Sequence, residues 1–296
     1  MAYRLLNNEP IPRGLKRVVR EEIDSAASHL RGERKVNRDE AIHEARKSIK
    51  KVRAILKLGR TELGDIYVRE NAGLRDVAHR LSGFRDAAAI IETFDDLKQK
   101  YASEAEAKRI SSVRKALTRQ KTAASVPESV DPLIREAESV LRRIRHDTAT
   151  WPLKRDGFQA FGDGLKEAYR GGRKALARAK KSPHPQNYHQ LRKRVKDLWY
   201  HIRLMRSRWT AIGKRREKQL NDLETWLGDD HNLVLLRAGI VTDPDTYGHA
   251  KVIDVILDLI DRYQKKLRSD AIDSAVDLYR EKPRDFIRRM KHLCKE

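Results

Sequence analysis

The chain has a single cysteine, Cys294, in 296 residues. That excludes an internal disulfide and a thiolate-built zinc site. Glycine (15) and proline (9) are scarce, and aromatic side chains make up only 6%. Sandwiches and barrels need frequent turn residues, so this composition argues against them and for long helices. Apolar runs all fall short of the ~18 residues needed to cross a bilayer. The first ten residues do not read as a secretory signal. The expectation is a soluble, cytoplasmic protein of a reducing compartment, without integral membrane association. What is abundant is positive charge: 65 Lys and Arg stand against 43 Asp and Glu, a net charge of +22. Hydrophobic residues make up 39%, enough for a buried core, so the chain is not a disordered basic tail. Such a surplus costs self-repulsion in a compact state and points to a polyanionic partner: nucleic acid, an anionic membrane surface or a phosphate polymer.

Apolar residues recur with helical period through almost the whole chain, which predicts an all-α fold. Candidate helices cover 12–31, 38–60, 66–80, 84–122, 132–147, 158–180, 186–208, 213–227, 230–240, 247–268 and 270–294. Asn37 is placed to cap the second of them, with Glu40 at its third position. Ser182, followed by Pro183, has the same role in the second half of the chain.

An internal repeat organises these helices. His43-Glu-Ala-Arg46-Lys47-Ser-Ile-Lys50 lies over His189-Gln-Leu-Arg192-Lys193-Arg-Val-Lys196 at an offset of 146 residues. At the same offset Asp76-Val77 meets Asp222-Leu223, Leu81 meets Leu227, and Arg85-Asp86 meets His231-Asn232. Upstream, Arg20 lies over Lys166 and Leu30 over Leu176. A gap-free register over about 65 residues predicts two similar helical halves, 10–150 and 151–296. The reading is of two four-helix-bundle-like units related by a pseudo-two-fold axis.

Each copy carries two stripes on one helix. Ile42, Ala45, Ile49, Val52 and Leu56 are apolar, and so are Tyr188, Leu191, Val195, Leu198 and Ile202. One residue further on, a rotation of about 100°, come His43, Arg46, Lys50, Arg53 and Lys57, and in the second copy His189, Arg192, Lys196, Trp199 and Arg203. All but Trp199 are basic, and Lys47 and Lys193 broaden the two ridges. Two ridges facing each other across a symmetry axis would line one channel, and a bound polyanion would offset their repulsion. Arg20, Lys166, Lys35 and Lys181 are candidates of second rank, since their basic character also repeats.

Catalytic and metal patterns fail on inspection. Glu40-x-x-His43 has the spacing of a di-iron helix, but its counterpart is Gln186-x-x-His189, and the neighbouring cations would repel a metal. No metal and no cofactor is expected. Glu104-x-Glu106-x-Lys108 would need a strand to place all three on one face; on a helix it reads as a Glu104–Lys108 pair. Gly157 and Gly162 have P-loop spacing, but Asp163 stands where the lysine is required. There is no nucleophile elbow, and Cys294 has no catalytic context, so the chain reads as a non-enzyme.

The doubled His-x-x-Arg-Lys-x-x-Lys, each copy followed by a Leu-x-x-x-Arg/His-Asp/Asn segment, resembles the CHAD family (conserved histidine α-helical domain). The likeness spans about residues 10–295. It implies two four-helix bundles around a basic groove or pore that binds inorganic polyphosphate, in a stand-alone, non-catalytic member, and it implies localisation to polyphosphate granules. Carried residue by residue, the family histidines correspond to His43 and His189, the basic pairs to Arg46-Lys47 and Arg192-Lys193, and the next turn to Lys50 and Lys196. Trp199 and His231-Asn232 depart from the pattern. The rival is a nucleic-acid-binding module, with nucleic acid otherwise a weaker competing polyanion; sparse aromatics count against it, because single strands are held by stacking. A third possibility is a scaffold that docks an acidic protein.

Overall fold

A computed structural model describes residues 3–81, 86–124, 130–208 and 210–294. Among these there is no strand, and no helix is long and apolar enough to cross a membrane. Helices α1 (Ile11–Leu30), α2 (Arg38–Leu58), α4 (Asp65–Arg80) and α8 (Asp131–Asp147) pack as a closed ring, each against the next, with the single turn α3 (Arg60–Leu63) between α2 and α4. In the second half α9 (Gly162–Lys181) packs on α10 (Pro185–Met205). Helix α10 packs on α11 (Thr210–Thr242), and α11 on α13 (Ala250–Leu278), while α14 (Pro283–Leu293) returns to α9. Both α1 and α9 have 20 residues, and both α2 and α10 have 21. The first half of the chain meets the second where α2 packs on α10 and α9, and again where the helices of 86–124 pack on those from residue 210 onward. At the first of these contacts Gly164 lets α9 lie directly on the backbone of Leu58.

All ten residues of the two apolar stripes are buried, which is why α2 and α10 form. Asn37 caps α2 as its sequence predicts, its Oδ1 accepting from the Glu40 N–H at 2.9 Å. At α10 the cap differs from expectation. Pro185 takes the first helical position, so the cap falls on His184, whose Nδ1 accepts from the Gln186 N–H at 3.3 Å. Ser182 instead offers its carbonyl to Asn187.

The apolar residues form two clusters, and each draws on both halves of the chain. The larger joins α1, α2, α4, α8, α9, α10 and α14 with the N-terminal part of α11 and the C-terminal part of α13. The smaller is built by α5 (Asp86–Tyr101), by Ile110 just after α6 (Glu104–Arg109) and by α7 (Ser111–Ala124) against the C-terminal part of α11, the N-terminal part of α13 and the short α12 (Pro244–Tyr247). Phe94, Leu97 and Val113 meet Leu233, Ile256 and Leu259 there, and Trp226 packs against both clusters.

Three sequence expectations change. The helix expected over 84–122 is three helices, because a capping box at Ser103 and Glu106 starts a new one. Glu106 is further held by Arg262 at 2.6 Å, and Glu104 and Lys108 form no pair among the described residues. The break expected at 228–229 is absent: α11 runs through Gly228, and the Arg192 guanidinium packs against the bare backbone, 3.2 Å from where a Cβ would stand. The span 247–294, read as two helices parting near 269, parts at Tyr279 instead.

Candidate anion-binding site

The contact of α2 with α10 brings the two basic ridges together. Arg46 and Lys50 of α2 lie against Arg192 and Lys196 of α10, and the half-buried Lys50 ammonium reports the crowding. Burial first, then Lys196, Arg46 and Arg192, pull it down to about 7. Lys50 has no ion-pair partner among the described residues. Arg192 and Lys196 do have one. Glu224, on α11 with a side chain 13% exposed, places Oε1 3.1 Å from Arg192 Nη2 and 2.6 Å from Lys196 Nζ. Burial works to raise that carboxyl, but Lys196 and Arg192 outweigh it and hold it below its ordinary value.

Beyond this centre the ridges divide. Lys57 donates to both oxygens of Asp197 at 2.6 and 2.7 Å, tying α2 to α10. Burial, with Arg53 and Arg194 nearby, still leaves the Lys57 ammonium below its usual range. Arg53 Nε donates to Asn71 Oδ1 at 3.0 Å. His201 lies one turn beyond Asp197; its buried ring is pushed to about 4 by desolvation, and its Nε2 lies 2.9 Å from the Ala54 carbonyl oxygen. A neutral imidazole donates through that nitrogen, so His201 is a second strut between the halves. At the far end Arg203 sits 3.5 Å from Glu217 and covers the Trp199 ring at 4.9 Å, while Trp199 stacks on Tyr200.

The paired histidines differ from each other. His43 is half-buried, its Nε2 3.7 Å from Glu44 Oε1, and Lys47 holds the same carboxylate at 2.8 Å. His189 lies 4.3 Å from the ring of His231, and its Nδ1 is buried without a hydrogen-bond partner. Burial, then His231, Lys193 and Arg192, push its imidazole down to about 4, so it is neutral at pH 7. Lys193 is exposed beside it. Arg85, the counterpart of His231, lies outside the described residues.

The four second-rank residues do not join this centre. Arg20 lines a cleft on the outer face of α1 with Arg13, Lys16 and Asp24. Lys35 is exposed in the turn between α1 and α2, and Lys166 and Lys181 are exposed on α9. No hydrogen bond or ion pair among the described residues links any of them to the α2–α10 cations. Sequence reasoning missed Glu224, Glu217, Asp197 and His201. All four carried one legible signal, a breach of the repeat: Ala78, Asn71, Lys51 and Ile55 stand at the matching positions of the first half.

The cost of Lys50 can be measured. Its ammonium titrates near 7 in the folded protein, against 10.5 for a lysine side chain free in water. Between those pH values the unfolded chain binds more protons, so this group makes stability rise with pH from about 7 to 10. The penalty is full below pH 7 and vanishes above 10.5. Lys50→Met is expected to raise stability at pH 7 by about 2 kcal/mol, after discounting for solvent at a half-exposed amine, and to flatten this part of the profile. Urea unfolding at pH 6.5 and 9 checks it; a variant less stable than the wild type at pH 6.5 contradicts the crowding.

A protein-family model described as the CHAD domain matches residues 17–240, from α1 almost to the end of α11. No curated protein matches the chain.

Proposed function

The chain belongs to the CHAD-domain family, and from that membership and the geometry of the α2–α10 contact we propose that it is a non-catalytic binder of inorganic polyphosphate. The observation that carries this reading is the meeting of equivalent residues. Lys50 and Lys196 occupy the same place in the two repeats, yet each lies in the other's field at the helix contact. Equivalent residues meet in this way across a two-fold axis. The proposal therefore includes two pseudo-symmetric halves, 10–150 and 151–296, with the axis between these lysines.

In this reading Arg46, Lys50, Arg192 and Lys196 hold phosphoryl oxygens at the centre, the arginines through their planar forks and the lysines as point charges. Arg53, Lys47, Lys193 and Arg203 extend the track, with His43 and His189 beside it. Lys57 contributes as a strut through Asp197. Arg20, Lys35, Lys166 and Lys181 serve as outer field charges that raise the local concentration of a chain. Binding a phosphate polymer in this way would also place the protein at polyphosphate granules. The rival nucleic-acid reading lacks its platform: the aromatic of the ridge, Trp199, is already covered by Arg203 and stacked on Tyr200.

A polyanion held by about eight such contacts, taken with the slope of a single-stranded polyanion, loses about three orders of magnitude in affinity between 50 and 200 mM salt. Titration with fluorescently labelled long-chain polyphosphate at several salt concentrations checks this. A loss below tenfold over that range would mean that the ridge cations are not the contacts.

A further inference from the structure

We propose that Glu224 is a resident anion, a specificity-determining carboxylate that occupies Arg192 and Lys196 until a ligand of sufficient charge displaces it. The inference rests on the polyphosphate reading and says which phosphates that site accepts. One carboxylate holds two of the four central cations, at 3.1 and 2.6 Å, and lies in the field of a third, Lys50. The fold does not require it. In the first half α2 packs on α4 with Ala78 at the position matching Glu224, and Ala78 is buried without trouble. The asymmetry recurs two turns out. Glu217 reaches Arg203 and Arg206, whereas its counterpart Asn71 gives Arg53 a neutral acceptor. Carboxylates therefore answer the second ridge from α11, while these two matching positions on α4 hold none.

An arriving phosphoryl group must take Arg192 and Lys196 from a carboxylate that is 13% exposed and that would be left unpaired by the exchange. A single phosphate, or the short tail of a nucleotide, offers too few further contacts to offset that loss. A long chain brings many contacts at high effective concentration once its first units are seated. Glu224 thus scales every phosphate affinity down and leaves only polymers within binding range.

The experiment compares the wild type with Glu224→Gln, which keeps the side-chain shape and an oxygen facing Lys196 but removes the charge. Tripolyphosphate and long-chain polyphosphate are titrated at 150 mM salt, with Asp222→Asn as the control. Asp222 lies on the same helix but pairs with Lys218, outside the site. E224Q is expected to bind tripolyphosphate at least tenfold more tightly, and D222N to change it less than twofold. An E224Q gain no larger than that of D222N would reduce Glu224 to a share of the general field and overturn the inference. Weaker binding by E224Q would make Glu224 an organiser of the cations and overturn it equally. Circular dichroism monitors folding of E224Q. Glu217→Gln, which frees Arg203 at the exposed end, gives a second reading and is expected to tighten binding about threefold; no gain there counts against the inference too. If the wild type itself fails to bind long-chain polyphosphate, the parent reading falls; if it binds and E224Q is no tighter, only this inference does.

Discussion

Reversing Arg46 and Lys50 together to glutamate is expected to weaken polyphosphate binding at least 100-fold while leaving the helical circular dichroism unchanged. Each position loses a charge-assisted contact of roughly 1.5–3 kcal/mol, and each new carboxylate repels the chain besides. Two such losses amount to two or more orders of magnitude in Kd. The fold should survive because the pair sits in a field of excess positive charge: a carboxylate at position 50 gains Lys196 and Arg192 as neighbours where the native ammonium is repelled by them. Isothermal titration with long-chain polyphosphate and a thermal melt on the same sample check both halves of this. Binding within threefold of the wild type would remove the α2 ridge from the site. Collapse of the helical signal would show that these cations support the fold.

The second large effect lies in the junction that brings the ridges together. A Cβ at Gly164 would stand 2.2 Å from the Leu58 carbonyl oxygen and 2.6 Å from its Cα. Both are backbone atoms, so no rotamer change relieves the clash and α9 must move off the end of α2. Gly164→Val is expected to cost about 3 kcal/mol or more. At this chain length that lowers Tm by roughly 5–10 °C. Gly73→Ala on α4 should have the opposite sign, because its Cβ would meet Val140 Cγ1 at an ordinary 3.7 Å and helix propensity gains up to ~1 kcal/mol. Differential scanning of the two variants checks the contrast. Equal melting temperatures would mean that α9 and α2 are not in backbone contact.

The ridges and the helices that carry them were legible because both are local. A stripe of Ile42, Ala45, Ile49 and Val52 is written at the period of one helix, and its repetition 146 residues later tells the same story twice. Asn37 and its cap were legible for the same reason. What stayed hidden is long-range. Nothing in the spacing of Lys57 and Asp197, 140 residues apart, announces a strut, and nothing local to His201 points to the carbonyl of Ala54. The continuity of α11 through Gly228 depends on the guanidinium of Arg192 lying against it, a tertiary contact that overrides the usual cost of a mid-helix glycine. The packing of α5–α7 onto α11 and α13 is likewise a matter of which apolar faces find each other. Phe94 and Leu233 are both apolar in sequence, but only the fold makes them partners. Glu224 shows how much of a basic site can be concealed: a count of charge gives +22, while the centre of the ridges holds an anion.

The central claim is that the repeated ridge recognises a phosphate polymer rather than polyanions at large. The most direct test is a competition titration at 150 mM salt between long-chain polyphosphate and single-stranded DNA matched in charge. Polyphosphate is expected to bind at least tenfold more tightly, to displace the DNA, and to lose this advantage in the Arg46/Lys50 reversal. Equal or tighter binding of the DNA would contradict the claim, and would leave the ridges as a generic basic surface on a CHAD fold.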